Sequence, residues 1–336
     1  MSGEAKEKLA MRAHAFKRTR ALLVLAVVSA GLALTSSVAS AAPVSVNLCA
    51  VPGSATLTGS VTVPIWGFGV PTTPGDCSTA TASLPGPVLT ANQGDSVTIT
   101  VTNALPAGHT LSFEVPGISF DAGPVNAASG ATVTRTFTAS APGTYLYSSG
   151  GDGGRQQAMG LYGALIVRPP AANQAYGPAS TAYDVEAPLV LSAVDPDLQA
   201  AADPNDFDMY HYRATYWLIN GKAYPTTAAI SAAAGQRVLL RYLNAGYDNT
   251  SMLLLGMHQR VVARDARLLN NPFDAAAEII PAGATEDAIA TVPSGTPPSA
   301  SGFPLYNRQL HLTNGPQTDP NPTPATGGGM LTFIQP

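Results

Sequence analysis

Glycine and proline set the first limit on what this chain can fold into. With 32 and 29 of them in 336 residues, a turn former or helix breaker falls roughly every five or six positions. Amphipathic helices need about ten or more unbroken residues, which such spacing seldom leaves, whereas strands of about four to eight residues fit between the breaks. An all-helical architecture is excluded. Hydrophobic residues make up 45% and charged residues 11%, a balance unlike that of disordered or coiled-coil chains. The length suits two domains of ordinary size once a targeting segment is set aside.

Such a segment is written at the start. A basic stretch with Lys6, Lys8, Arg12, Lys17, Arg18 and Arg20 precedes the apolar run Ala21–Leu34, and Ala39-Ser40-Ala41 supplies small residues for a signal peptidase. Residues 1–41 are therefore expected to be a secretory signal. Thr19 separates Arg18 from Arg20, so the general secretory route is expected over the twin-arginine one, with a periplasmic or extracellular destination. The apolar run is too short to span a bilayer, and no second run approaches that length, so the mature chain is expected to carry no transmembrane anchor.

From Ala42 onward the chain has 11 basic and 19 acidic residues. That balance repels phosphate backbones, and no basic cluster offsets it, so nucleic acid is not an expected partner. Cys49 and Cys77 are the two cysteines, 28 positions apart. In an oxidising compartment they are expected to form one disulfide.

Strand signals then follow one another. In Ser96–Asn103, Val97, Ile99 and Val101 alternate with Thr98, Thr100 and Thr102, the period of two of a strand with one buried face. Thr132–Thr138 repeats the alternation, and Gly143–Ser148 and Gly160–Arg168 follow after short breaks. Pro169–Pro178 reads as a connection. Further strands are expected at Ala187–Ala193, Tyr216–Asn220, Gln236–Asn244, Ser251–Arg264, Arg308–Thr313 and Met330–Ile334, with a helical turn in Asp203–Tyr212 and long loops at Ser294–Gly302 and Pro316–Gly329. Gly94-Asp95-Ser96-Val97 with its strand to Asn103 recurs 141 positions later as Gly235-Gln236-Arg237-Val238 with its strand to Asn244, which implies two copies of one sandwich. The domain reading is 42–168 with a disulfide-stapled N-terminal loop, a linker at 169–182, and 183–336.

In order, spacing and turn chemistry, Gly86–Pro106 (GPVLTANQGDSVTITVTNALP), Gly143–Tyr147 (GTYLY) and Gln156–Val167 (QQAMGLYGALIV) resemble the first cupredoxin domain of the multicopper oxidase family. Tyr216–Pro225, Gly235–Gly246, Leu254–Asp265 and Ile280–Ile289 resemble the second. The resemblance implies an all-β fold of two consecutive cupredoxin-like Greek-key β-sandwiches. In active members, His-x-His pairs hold a trinuclear copper centre, since alternate residues of a strand project two imidazoles the same way. This sequence has no His-x-His pair. The framework places Ser112, Glu114, Ser148 and Gly150 where the first-domain imidazoles would be. Neither cysteine lies late in a domain, where a blue-copper ligand belongs, and the third domain that carries that site in three-domain relatives is not expected. No catalytic residue, no cofactor-binding residue and no metal ligand is therefore expected, and no cofactor, copper being the alternative.

Four histidines follow the signal. His109 is expected as a solvated or capping residue of a turn, His211 in a solvated loop beside Asp203, Asp206 and Asp208, His258 as a buried hydrogen-bonding residue on a strand, and His311 inside a strand pair. Ser149–Arg155 lacks the Lys-Ser/Thr ending of a phosphate loop and is expected as a flexible surface loop. Gly-x-Ser-x-Gly is absent. The expected function is that of an exported multicopper-oxidase-like protein without the copper ligands, a non-catalytic binding or scaffolding module whose partner is another cell-envelope or extracellular protein, possible as an oligomer. Two alternatives stay open: a copper-binding oxidoreductase or copper carrier with an unusual or intersubunit site, and a structural subunit of an extracellular assembly.

Overall fold

The alternation in Ser96–Asn103 decides the first half of the molecule, because a strand with apolar residues on one face needs a second sheet to cover them. The computed structural model describes residues 41–121, 123, 125–315 and 327–336. The expected signal and most of the loop at 316–329 lie outside them. In chain order the first strands are β1 (Pro43–Leu57), β2 (Val61–Gly69), β3 (Leu89–Asn92), β4 (Ser96–Asn103), β5 (Leu111–Ser112), β6 (Asn126–Ala127), β7 (Thr132–Thr138), β8 (Gly143–Ser148) and β9 (Tyr162–Arg168). One sheet runs β2-β1-β4-β7 and another β3-β9-β8, with the β5-β6 pair beside β8. Between the sheets Val97, Ile99 and Val101 pack with Phe68, Phe113, Phe137 and Tyr147, all buried. Each such side chain contributes about 1.5–3 kcal/mol by leaving water.

The second half repeats the plan. Its elements are β10 (Val185–Val194), β11 (Tyr216–Ile219), β12 (Ile230–Ser231), β13 (Arg237–Asn244), β14 (Thr250–Leu254), β15 (Gln259–Arg264), β16 (Arg267–Ala275), β17 (Ala277–Ile280), β18 (Thr285–Thr291), β19 (Phe303–Asn307) and β20 (Leu331–Gln335). The sheets run β11-β10-β13-β18-β15-β16 and β12-β20-β19-β14-β17. The 141-residue repeat holds at the level of pairing: β1 lies parallel to β4 with Val44 opposite Val97, and β10 parallel to β13 with Val185 opposite Val238. All-β architecture with two cupredoxin-like sandwiches is what the structure has.

Three sequence expectations are corrected. Ser251–Arg264 is two strands, β14 and β15, because Leu255–Met257 turns through Gly256 at φ +88°. Residues 308–313 hold no strand longer than a single bridge residue, Thr313. Ser149–Arg155 is not a free loop: Ser149 is fully buried, and the segment leads into a short helix α1 (Arg155–Met159). The disulfide is as expected, with Cys49 and Cys77 Cα atoms 5.6 Å apart. Asp203–Tyr212 contains two 3-10 turns, Pro204–Asp206 and Met209–His211.

The two sandwiches meet across β8 and β13. Leu146 packs with Leu243 and Ala245, while Arg241, fully buried, reaches Glu186 Oε1 at 2.7 Å, Asp287 Oδ2 at 3.2 Å and Thr144 Oγ1 at 2.8 Å. Thr144 and Tyr176 donate to Asp287 at 2.7 and 2.6 Å. Tyr176, from the expected linker, is itself buried against Leu239, Val262 and Ile289. The connecting segment is thus packed into the junction.

Candidate functional site

Strand pairing brings the four singled-out positions of the first sandwich to one corner. Glu114 and Ser148 are bridge partners, their backbones exchanging hydrogen bonds of 2.9 and 3.0 Å. Side chains alternate along a strand, so Ser112 shares the face of Glu114, and Gly150 that of Ser148. A Cβ built on Gly150 would stand 3.3 Å from Glu114 Oε1, which places the carboxylate over that glycine. Ser112 and Ser148 are buried, Glu114 and Gly150 exposed. Ser112 Oγ is buried without a hydrogen-bond partner.

Behind this face runs a polar chain that sequence reading missed. Ser149 Oγ accepts from the Ser112 amide at 3.1 Å and donates to Gln156 Oε1 at 2.6 Å. Gln156, fully buried on α1, donates to Thr110 O at 3.1 Å and to Asp152 Oδ2 at 2.9 Å. Asp152 Oδ2 lies 2.7 Å from His109 Nδ1, and His109 Nε2 lies 3.5 Å from Asp203 Oδ1. His109 is therefore no solvated turn residue: it is 4% exposed, with its ring edge-on to Trp66 at 4.6 Å. The burial of Ser149 and Gln156 is explained by this chain, since buried polar groups require partners.

The other histidines are scattered. His258 is exposed in the turn after β14, contrary to the expected buried position, because the turn at Gly256 carries it out of the strand. His211 is largely exposed and 3.0 Å from Asp208 Oδ2. Asp203 and Asp208 accept from the amides of Asn205 and Tyr210 as caps of the two 3-10 turns. His311, expected within a strand pair, instead lies beyond β19 with its ring stacked on Trp217 at 4.4 Å and 13°. Burial lowers its pKa below the ordinary imidazole value. Among the described residues no helix is long and apolar enough to cross a membrane.

Comparison with known proteins gives a consistent picture. Residues 71–172 match the family model for multicopper oxidases. A putative laccase-11 of Oryza sativa subsp. japonica is 27% identical over 255 residues, 66% of this chain and 44% of that protein. Copper resistance protein A of Escherichia coli is 33% identical over 124 residues, 34% of this chain and 18% of that protein. The chain thus spans less than half the length of these curated relatives. Among solved structures, the blue copper oxidase from Nitrosomonas europaea superposes with a TM-score of 0.70 at 22% identity, covering 87% of this chain and 86% of that one. A copper nitrite reductase from the same organism gives 0.65 at 22%, covering 87% and 94%. At such identities these two structures speak for the fold.

The expectation that no cofactor is required is corrected by these findings: the matching family and relatives are named as copper proteins, and copper is the cofactor they point to. That expectation rested on the missing His-x-His pairs, the early position of both cysteines and the third domain that was not expected, and spacing along the chain reads only ligands that are sequence neighbours. The corner itself does not fit a copper cluster. Its four positions offer two neutral hydroxyls, one carboxylate and a glycine, where copper at neutral pH takes imidazole, thiolate or thioether. Residues 71–172 are thus similar in sequence to the multicopper oxidases, and the two sandwiches share the fold of the blue copper oxidase and the copper nitrite reductase.

Proposed function

We propose that this protein is exported by its N-terminal signal and works in copper handling as a two-sandwich binding module, without a trinuclear oxidase centre in its first sandwich. One observation carries the reading: the corner where β5 and β8 converge holds Ser112, Glu114, Ser148 and Gly150, none of them an imidazole or thiolate, and is backed by the hydrogen-bonded chain Ser149–Gln156–Asp152–His109. The relatives named for copper resistance support the copper class, and the excess of acidic over basic residues after Ala41 favours a cationic ligand over a polyanionic one. Its macromolecular partner in this reading is another cell-envelope or extracellular protein.

The test is elemental analysis of the purified secreted chain after incubation with Cu(I) and Cu(II) and removal of excess metal, together with a phenol-oxidation assay. Copper retained without phenol oxidation is the expected result. Turnover of a phenol by the copper-loaded chain overturns the reading, and so does a chain that retains no copper from either ion.

A further inference from the structure

The second sandwich parts along one side. β15 and β18 belong to one of its sheets and β17 closes the other, and between them lies a cavity of about 290 Å³ whose polar wall is Arg264, Asp265, Glu278 and Glu286. Strand register puts these groups there: Glu286 stands opposite Arg264 across β15–β18, and Glu278 stands opposite the buried Met252 across β14–β17 and shares its inward face. Arg264 Nε donates to Glu286 Oε2 at 2.9 Å and Nη2 to Glu278 Oε1 at 2.6 Å. Asp265 Oδ1 accepts from the Thr285 amide at 3.0 Å. One guanidinium thus meets three carboxyl groups, and the wall as a whole is short of positive charge. The shortage is sharpest at Glu286, which is 2% exposed and whose Oε1 is buried without a hydrogen-bond partner. A buried oxygen left without a donor carries its full desolvation cost.

We propose that this cavity binds a small alkylammonium ion, its ammonium group held by Glu286 and Glu278 and its alkyl chain laid on Ile279, Pro281 and Ala284, which complete the wall. The three carboxyl groups are not gathered as metal ligands are, so the cation that fits is one with organic bulk. A primary ammonium is compact and has three N–H donors for the spare carboxylate oxygens, whereas a second planar guanidinium would compete with Arg264 for the same edges. The terminal torsion of a glutamate is soft, so rotation about it presents the unpaired oxygen of Glu286 to the cavity. The volume lies at the lower end for ligand pockets, which suits a short chain. Glu286 is faced by Arg264 from β15, Glu278 from β17 and Tyr242 from β13, with Asp265 in the turn after β15 and Asp287 beside it on β18. Among these influences burial is the largest and raises its carboxyl to about 7. The arriving ammonium therefore displaces the carboxyl proton to solvent, one cation in and one proton out, and the charge of the buried cluster stays the same. Affinity then falls as pH drops below about 7.

The site makes no use of copper, so it and the functional reading fail separately. The experiment titrates the whole mature chain with n-butylammonium chloride at constant ionic strength, following the amide resonances of Ala284 and Thr285. EDTA is present throughout, which keeps the amine from binding by way of protein-bound copper. Saturable binding of one equivalent is expected, weaker at pH 5 than at pH 8 by about tenfold or more. Glu286→Gln should weaken binding at pH 8 by about tenfold or more and remove its dependence on pH, while Glu278→Gln should weaken it and leave that dependence in place. Both glutamines keep the shape of the residue they replace, and thermal unfolding of each variant verifies that it is folded. n-Butanol, which has the same chain without the charge, should leave the two resonances unmoved. Shifts that do not saturate, butanol binding as well as the ammonium ion, or a Glu286→Gln affinity within about twofold of native would each overturn the proposal.

Discussion

The same strand occurs in both sandwiches and meets different surroundings. β4 and β13 are related by the 141-residue repeat, and their inward residues match: Val97, Ile99 and Val101 in one, Val238, Leu240 and Tyr242 in the other, all buried. Outward, Thr98, Thr100 and Thr102 of β4 are half-buried and pair laterally with Thr136, Thr134 and Thr132 of β7. At the corresponding positions β13 has Leu239, Arg241 and Leu243, each fully buried. The difference is that the first sandwich lays β8 across the outer face of β13, while among the described residues nothing comparable covers β4. One fold plan therefore yields a two-layered copy and a copy whose sheet is covered on both faces, and the residue pattern changes from alternating to continuous accordingly.

Arg241 gives the largest way to break this contrast. Arg241→Ala leaves the buried Asp287 without its cation and Glu186 with Arg168 alone, and should cost about 3–5 kcal/mol, whereas Thr100→Ala at the equivalent position should cost under about 0.5 kcal/mol. Urea unfolding of both variants measures the pair; equal costs would mean that the junction contributes nothing to β13. Next in size is the staple that only the first copy has. Replacing Cys49 and Cys77 by Ser reopens a 28-residue loop and should lower stability by about 3–4 kcal/mol on the chain-entropy model. The loss should appear equally in native chain unfolded under reducing conditions.

A third comparison tests where the copies agree. Asn103 donates to His109 O and Ala127 O at 2.9 Å each and accepts from Leu105 N at 3.0 Å. Asn244 donates to Asp248 O and Ile280 O at 2.8 and 2.9 Å and accepts from Gly246 N at 3.0 Å. Each asparagine ties the end of its strand to the following turn with three buried bonds. Asn103→Ala and Asn244→Ala should each cost about 2–3 kcal/mol, and differ from one another by less than about 0.5 kcal/mol. Unequal values from thermal unfolding would show that the clamp is shared in geometry but not in energy.

These contrasts also mark what could be read in the sequence. The alternation at Ser96–Asn103, the repeat ending in asparagine, and the cysteine pair were legible because each is a local pattern tied to one physical requirement. Ser112, Glu114, Ser148 and Gly150 were picked out from the framework resemblance, and Glu114 and Ser148 are bridge partners. The surroundings of His109 were not legible: Asp152 and Asp203 lie 43 and 94 positions away, and nothing local in Pro106–Thr110 signals them. Nor was the stack of His311 on Trp217, which joins residues from opposite ends of the second sandwich.

The smallest predicted effect concerns a carboxylate found in one copy alone. In the β4–β7 pair Val101 faces Val133, while in the β13–β18 pair Tyr242 faces Glu286, so a buried valine of the first copy is a glutamate in the second. Glu286 is 2% exposed, and Arg264 reaches its Oε2 at 2.9 Å from a half-exposed position. Burial outweighs that guanidinium and pushes the carboxyl pKa from 4.5 up to about 7. A raised folded-state pKa means that between those values the folded chain binds more protons than the unfolded one, so stability falls as pH rises from about 4.5 to about 7. Glu286→Gln removes this ionisation. Its stability relative to native should be more favourable at pH 8 than at pH 4 by about 1–2 kcal/mol, discounted from the full shift because Arg264 is in contact with water. Urea unfolding at the two pH values measures the difference. A change of the opposite sign would mean that the Arg264 pair holds Glu286 ionised, and that the second copy has converted a core position of the first into a stabilising ion pair.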